Sequence, residues 1–112
     1  MPTTTELATR ALKRAGVLDP AESPTAQEAT DVIAVMQSVY DSMKERGHIQ
    51  WTLTDIPARY QDPFINIVAM RIAADFGVLS DTLVALGRSG EREIYALNER
   101  RIDGRGTPVV DF

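Results

Sequence analysis

The side chains that could carry out acid–base or metal chemistry are few in this sequence and poorly grouped. His48 is the single histidine, and it follows Gly47, where a helix is expected to end. A catalytic triad or a histidine-rich zinc site therefore has at most one histidine available. At the negative end of a helix, a histidine charge also suits the helix dipole. We interpret His48 as a structural residue.

Acidic side chains form two close pairs, Asp41 with Glu45 and Glu91 with Glu93. Two carboxyl groups can act as general acid and base when burial shifts the pKa of one of them. Both pairs fall on helix surface that we expect to be exposed, and Glu91 and Glu93, two residues apart, do not share a helix face. The run GRSG at 87–90 is too short for a phosphate-binding loop and follows no strand. We therefore predict that the protein is not an enzyme and uses no cofactor or metal.

The composition is that of an ordinary folded domain with a modest negative charge. The 112 residues include 12 basic and 16 acidic side chains, which give a net charge of −4. Tight binding to nucleic-acid phosphates needs clustered lysine and arginine, so this balance disfavours it. The absence of cysteine excludes disulfide and thiolate chemistry. We expect neither a signal peptide nor a membrane span, because no segment has the required apolar pattern.

The element expected at the centre of the fold is the run PFINIVAMRIAADFGVL at 63–79. Only three residues between 64 and 76 are polar, so apolar side chains face nearly every side of the helix. Other segments must then cover this helix. We predict that Asp62 caps it, that Pro63 takes its first position and that Gly77 ends it.

Two helices are predicted before the central one. The first is capped by one of the threonines at 3–5, presents a narrow stripe of small apolar residues and ends at Gly16. The second begins with a capping box formed by Thr25 and Glu28 and ends before Gly47. Both therefore have local signals for their start and their end.

A fourth helix is predicted after the central one. Ser80 or Asp81 can cap it, and apolar positions continue to about Ile102. Gly87 and Gly90 interrupt this pattern, each at a cost of about 1 kcal/mol relative to alanine. We favour one long helix, and a break into two helices is the alternative.

Two segments lack helical periodicity. Residues 47–61 are expected to form an extended loop whose Trp51, Leu53 and Ile56 pack on the helices, with a short hairpin or an inter-subunit strand as alternatives. Residues 104–112 (GRGTPVVDF) cannot continue a helix and end either frayed or docked on another chain. The predicted fold is all-α: a four-helix bundle-like domain at 1–103 with an apolar central third helix, a long loop before it and an extended C-terminal tail at 104–112.

Four residues in the apolar segments invite a functional interpretation. Arg71 and Asp75 are four residues apart on the central helix, and we expect them to pair with each other or with neighbouring helix ends, since an unpaired buried charge is costly. Contact with another subunit is the alternative. Trp51 and Tyr60 are interpreted as packing residues, with a role as interface anchors as the alternative.

Four short segments resemble, in order and with similar spacing, the head-to-tail adaptor proteins of tailed bacteriophages. They are ALKRAGV at 11–17, AQEA at 26–29, RIAADF at 71–76 and GEREIY at 90–95. The resemblance is greatest to the tail accessory, or packaged-DNA stabilisation, proteins of short-tailed phages, and it spans most of residues 5–100. The segment after Arg101 is much shorter here than in those proteins, which leaves the extent of portal contact open.

The resemblance implies a structural virion protein of the head–tail junction, made in the host cytoplasm. Such proteins form a ring, commonly of twelve copies, beneath the portal; they extend the DNA channel, help retain packaged DNA and provide the platform for the tail. The implied partners are the portal protein, tail proteins, further copies of the chain, and double-stranded DNA that passes without sequence-specific binding; no membrane is implied. By position, the portal-binding residues would be Thr107, Pro108, Val109, Val110 and Phe112. The candidates for contacts between subunits are Arg71, Asp75, Arg88, Arg92, Glu93 and Arg100.

Two other classes of function compete with an adaptor ring. A small helical regulator that binds DNA or a protein would need a basic recognition helix. Its best candidates are Arg88, Arg92, Arg100 and Arg101, and the glutamates interleaved with them disfavour duplex binding. A small hydrolase, for example one acting on cell wall, would have to use Glu91 and Glu93 as its acidic pair.

Overall fold

Four helices make up most of the described chain. The structure, a computed structural model, describes residues 3–47 and 49–103, with the backbone alone over 99–103. The helices are α1 (Thr4–Arg14), α2 (Ala26–Glu45), α3 (Ala58–Asp75) and α4 (Asp81–Asp103). The predicted all-α, four-helix bundle-like fold is therefore confirmed. His48 and the tail at 104–112 lie outside the described residues.

The first two helices begin with the same reciprocal cap. In α1 the Thr3 N–H donates to the Glu6 carboxylate at 2.7 Å, and the Glu6 N–H donates to the Thr3 hydroxyl at 3.1 Å. The pair Thr25 and Glu28 repeats this at the start of α2, at 2.9 and 3.1 Å. Hydrogen bonds from the Thr3 backbone and hydroxyl lower the pKa of the Glu6 carboxyl, because they favour its ionised form. Both predicted N-termini are confirmed, and short-range sequence determines them.

The contribution of the α2 cap to stability can be tested by removing the Thr25 hydroxyl. We expect Thr25→Ala to lower the free energy of unfolding by about 1 kcal/mol, because one helix N–H loses its acceptor. Thermal unfolding followed by circular dichroism should show a Tm decrease of about 4 °C. Thr30→Ala is the matched control in the same helix, where the exposed hydroxyl bonds only the Ala26 carbonyl, and it should change stability by less than about 0.5 kcal/mol. Equal effects of the two substitutions would contradict the cap.

The first three helices end at glycines with left-handed backbone. The φ angles are +82° at Gly16, +79° at Gly47 and +73° at Gly77, a region that other residues enter only with strain. After Gly16 the chain folds back, and the N–H of Val17 bonds the Leu12 carbonyl at 3.0 Å. All three predicted stops are confirmed.

The predicted start of α3 is wrong. The helix begins at Ala58 after Pro57, so Asp62 and Pro63 lie inside it rather than at its cap and first position. Proline lacks the N–H that would bond the carbonyl four residues earlier, yet the helix continues through this missing bond. Packing explains the extra turn, because the Tyr60 side chain is buried in the core, 3% exposed. If the helix started at Pro63, Tyr60 would not be held in its buried position.

Helix α4 runs unbroken through its two glycines, so the alternative of two helices is wrong. Gly87 and Gly90 are both buried where α4 crosses α3. A Cβ atom built on Gly87 would lie 2.5 Å from Met70 Sδ, and one on Gly90 would lie 2.5 Å from the Pro63 carbonyl oxygen. The glycines therefore permit a close approach of the two helices, and this packing offsets their low helix propensity.

Helix α3 lies at the centre of the domain, as predicted. It packs against α1, α2 and α4, and nine of its eighteen residues are buried. The small-residue stripe of α1 is fully covered: Leu7, Ala8, Ala11, Leu12 and Ala15 are at most 4% exposed. Polar contacts align α1 with α3, since Arg10 pairs with Asp62 at 3.0 Å and Arg14 donates to the Asn66 side chain at 2.8 Å.

The loop before α3 packs on the core through its aromatic and aliphatic side chains. Trp51 and Ile56 are buried and Leu53 is partly buried against the same cluster, which confirms the predicted packing. The Trp51 carbonyl accepts a hydrogen bond from the Tyr40 hydroxyl at 2.9 Å. Within the described loop, the sheet-type pairing is a single bridge between Thr52 and Asp55 rather than a hairpin.

Candidate interaction surfaces

The predicted subunit-interface residues lie on two helices, α3 and α4. Arg71 and Asp75 are exposed near the end of α3, and Arg88, Arg92 and Glu93 are exposed on α4. Arg100 belongs to α4, but its side chain lies outside the described part of the structure. The predicted portal-binding residues also lie outside it: Thr107, Pro108, Val109, Val110 and Phe112.

The expected pairing of Arg71 with Asp75 is not found. Among the described residues, the ion pairs join Arg10 and Arg14 to Asp62, at 3.0 and 3.6 Å. The last turn of α3 has a solvent side, where Arg71 and Asp75 are both exposed. Charges in water need no partner, so the assumption that apolar surroundings would force a pair was wrong.

An exposed groove lies between α2 and the end of α3, and we name it the acidic groove. It encloses about 420 Å³ and is lined by Asp31, Ala34, Val35, Ile72, Asp75 and Phe76. Phe76 is 39% exposed, and Val78 and Leu79 beyond it are 43% and 47% exposed. Adjacent exposed apolar side chains in a small domain are typical of an interaction surface. Its two carboxylates at Asp31 and Asp75 give it a negative charge.

The side of α4 turned away from α3 has the opposite charge, and we name it the basic face. It consists of Ala85, Arg88, Arg92 and Ala96, all exposed, with Tyr95 at its edge, where the ring also lines a hollow formed with residues of α2 and α3. At 100° per residue these positions lie within one third of the helix circumference, opposite the buried positions 83, 87, 90 and 94. Tyr95 is 43% exposed. Asp81 lies at the N-terminal end of this face and Glu93 at its edge.

The acidic pairs considered for catalysis are not assembled into a site. Glu93 is exposed while Glu91 is half-buried, contrary to the predicted exposure of both. Glu91 lines a narrow hollow with Arg46, Arg71 and Tyr95, where the neighbouring charges are basic rather than acidic. Among the side chains that the structure describes, at 3–47 and 49–98, no three histidine or acidic groups lie closely enough to hold a metal.

A second hollow, of about 200 Å³, lies beside the tryptophan. Gln50, Trp51, Pro57, Arg59, Tyr60 and Asn98 line it. The Trp51 Nε1 atom is buried without a hydrogen-bond acceptor among the described residues. Trp51 and Tyr60 are buried together, which confirms their interpretation as packing residues.

Comparisons with family models, with curated proteins and with solved structures find no match to this chain. None of the described helices has both the length and the apolar character that crossing a bilayer requires. The acidic groove was missed by sequence reasoning. The signal for it was available, because Phe76, Val78 and Leu79 surround the glycine that ends α3, at positions where no later segment was predicted to cover them.

Proposed function

We propose that this protein is a head-to-tail adaptor, or connector, of a tailed bacteriophage. In this role it forms a ring under the portal, extends the DNA channel, helps retain packaged DNA and provides the platform to which the tail attaches. The proposal begins from the four segments at 11–17, 26–29, 71–76 and 90–95 that resemble such proteins. Two of them lie within α2 and α4, and the other two cover the ends of α1 and α3.

The observation that best supports this role is the presence of two unlike surfaces on one small domain. The acidic groove exposes Phe76 beside two carboxylates, and the basic face exposes Tyr95 beside two guanidinium groups. A protein that works by contact with other chains needs such surfaces, whereas an enzyme needs a site with convergent reactive groups. The net charge of −4 also suits a channel wall along which DNA slides without being held.

The tail at 104–112 supplies the proposed contact with the portal. It contains Val109, Val110 and Phe112 after two glycines, and its nine residues can span roughly 30 Å when extended. Apolar side chains on an extended segment can bind along an edge or groove of a larger partner. The ring would then be placed at the head–tail junction of the virion, with tail proteins on its other side.

Deletion of residues 104–112 tests this contact. We expect the shortened protein to keep the helical circular dichroism spectrum and Tm of the full chain, because the described core lies within residues 3–98. Its retention on purified portal rings of the same phage should fall at least about tenfold, which corresponds to about 1.4 kcal/mol of lost binding. Asp111→Asn, which leaves all five predicted portal-binding residues in place, is the control and should bind normally.

The full-length and shortened proteins also distinguish the adaptor from the competing DNA-binding regulator. Electron microscopy of the full chain with portal should show a ring of density on the portal axis. If the shortened protein binds portal as well as the full chain, the proposed role of the tail is wrong. If the full chain forms no ring and instead shifts duplex DNA tightly at physiological ionic strength, with steep loss on added salt, a DNA-binding regulator replaces the adaptor.

A further inference from the structure

We propose that the acidic groove of one copy receives the basic face of α4 from the next copy. This inference rests on the proposed function, in which copies form a ring, and it identifies the surfaces through which they meet. The occupant of the groove is therefore a second copy of this chain. The contact involves only residues of the described helices and the turn after α3.

Charge complementarity is the first reason for this pairing. The groove has carboxylates at Asp31 and Asp75, and the basic face has guanidinium groups at Arg88 and Arg92, one helical turn apart. The Asp31 carboxylate is oriented by a hydrogen bond from the Gln27 side chain at 2.9 Å. None of these four charged groups has an ion-pair partner among the described residues. The two negative charges of the groove would attract the two positive charges of the basic face, which would steer the two copies together and fix their relative register.

The apolar parts of the two surfaces are the second reason. The groove offers Ala34, Val35 and the exposed ring of Phe76, while the partly exposed ring of Tyr95 lies at the edge of the basic face. Small side chains at Ala85 and Ala96 on the same face would let the helix backbone approach the groove closely. Burying the aromatic and aliphatic groups removes apolar surface from water, which is the main favourable term in association.

The placement of the two surfaces decides between a contact within one chain and a contact between chains. Helix α4 is packed on α3 through its opposite side, at Gly87, Gly90 and Ile94. Its basic face therefore points away from the groove that α3 helps to form. A contact between two different surfaces is heterologous, so each copy can bind one neighbour on each side. Such contacts generate a closed ring when the rotation between copies closes, as the proposed function requires.

Charge reversal tests the contact in the full-length protein. Sedimentation equilibrium or native mass spectrometry of the wild type, up to about 1 mM, should show self-association. The double variant Asp31→Arg with Asp75→Arg should weaken it at least about tenfold, and so should Arg88→Glu with Arg92→Glu, because like charges then meet. The chain with all four substitutions should associate within about threefold of the wild type, since the charges are exchanged and not lost.

Asp41→Arg is the matched control for the groove variants. Asp41 lies on the same helix as Asp31, is exposed, and accepts a hydrogen bond from Gln37 four residues earlier, as Asp31 does from Gln27. This variant should associate as the wild type does. Circular dichroism of each variant checks that the helices remain. Weakening by Asp41→Arg equal to that by Asp31→Arg would overturn the inference.

Site-directed cross-linking gives a second, independent readout. The natural sequence has no cysteine, so Ala34→Cys and Ala96→Cys variants each contain one thiol. Under mild oxidation, a mixture of the two should form the mixed disulfide dimer several times faster than a mixture of Ala21→Cys and Ala96→Cys, because Ala21 lies in the loop between α1 and α2. Equal rates would overturn the inference.

The outcomes separate this inference from the proposed function. A wild type that stays monomeric up to about 1 mM, or charge-reversed variants that associate normally, would overturn the groove-to-α4 contact. If the charge-reversed variants still assemble into a ring on the portal, the adaptor role stands and this contact is wrong. If the protein self-associates through the groove but does not bind the portal, the contact stands and the adaptor role is wrong.

Discussion

Replacing Trp51 with alanine is expected to lower the free energy of unfolding by about 3–5 kcal/mol. The indole ring lies between three other rings, with centroid distances of 5.7 Å to Tyr40, 5.6 Å to Tyr60 and 5.5 Å to Phe64. It therefore attaches the loop before α3 to both α2 and α3. Domains of this size have only about 5–15 kcal/mol of total stability, so the loss should be readily visible in urea unfolding followed by circular dichroism.

Trp51→Phe is the informative control for this substitution. It keeps an aromatic ring in the cluster and removes the buried Nε1–H, which has no acceptor among the described residues. A buried donor without a partner costs about 1–3 kcal/mol, so its removal should offset part of the lost packing. We expect Trp51→Phe to retain most of the stability that Trp51→Ala loses. If both variants unfold at the same urea concentration, the aromatic cluster does not hold the loop in place.

Sequence reasoning succeeded at helix ends because their signals are local. The reciprocal bonds between Thr25 and Glu28 involve residues three apart, and the left-handed turn at Gly47 involves one residue and its neighbours. Neither depends on the rest of the fold. The same is true of the small-residue stripe of α1, where spacing alone identifies the side that is buried.

The failures occurred where contacts distant in sequence decide the outcome. Asp62 and Pro63 form a good local start signal, but the burial of Tyr60 in the core extends α3 to Ala58. Asp62 instead pairs with Arg10, 52 residues away. The expected pair of Arg71 and Asp75 failed for a related reason, since the exposure of one side of α3 depends on which helices cover it. The candidate surfaces likewise depend on how α2, α3 and α4 are arranged.

Substitution of Gly90 has the second large expected effect, and its sign is opposite to helix propensity. In an exposed helix, a change from glycine to alanine stabilises by about 1 kcal/mol. At Gly90 the added Cβ would lie 2.5 Å from the Pro63 carbonyl oxygen, a backbone atom that cannot move without shifting α3. Overpacking of this kind costs about 1–3 kcal/mol and occasionally more. We expect Gly90→Ala to destabilise by about 1–2 kcal/mol and Gly90→Val by about 3 kcal/mol or more, measured by urea unfolding.

Two neighbouring positions provide the controls that make this result specific. Ser89→Ala, at an exposed site on the same helix, should change stability by less than about 0.5 kcal/mol. Gly87→Ala should cost less than Gly90→Ala, because two of the three close atoms at Gly87, Met70 Sδ and Cε, belong to the flexible end of a side chain. If Gly90→Ala were instead as stable as the wild type or more so, α4 would cross α3 at a greater distance or in a different register. A different register would also change the direction in which the face carrying Arg88 and Arg92 points, so the stability of this one variant bears directly on the proposed contact between copies.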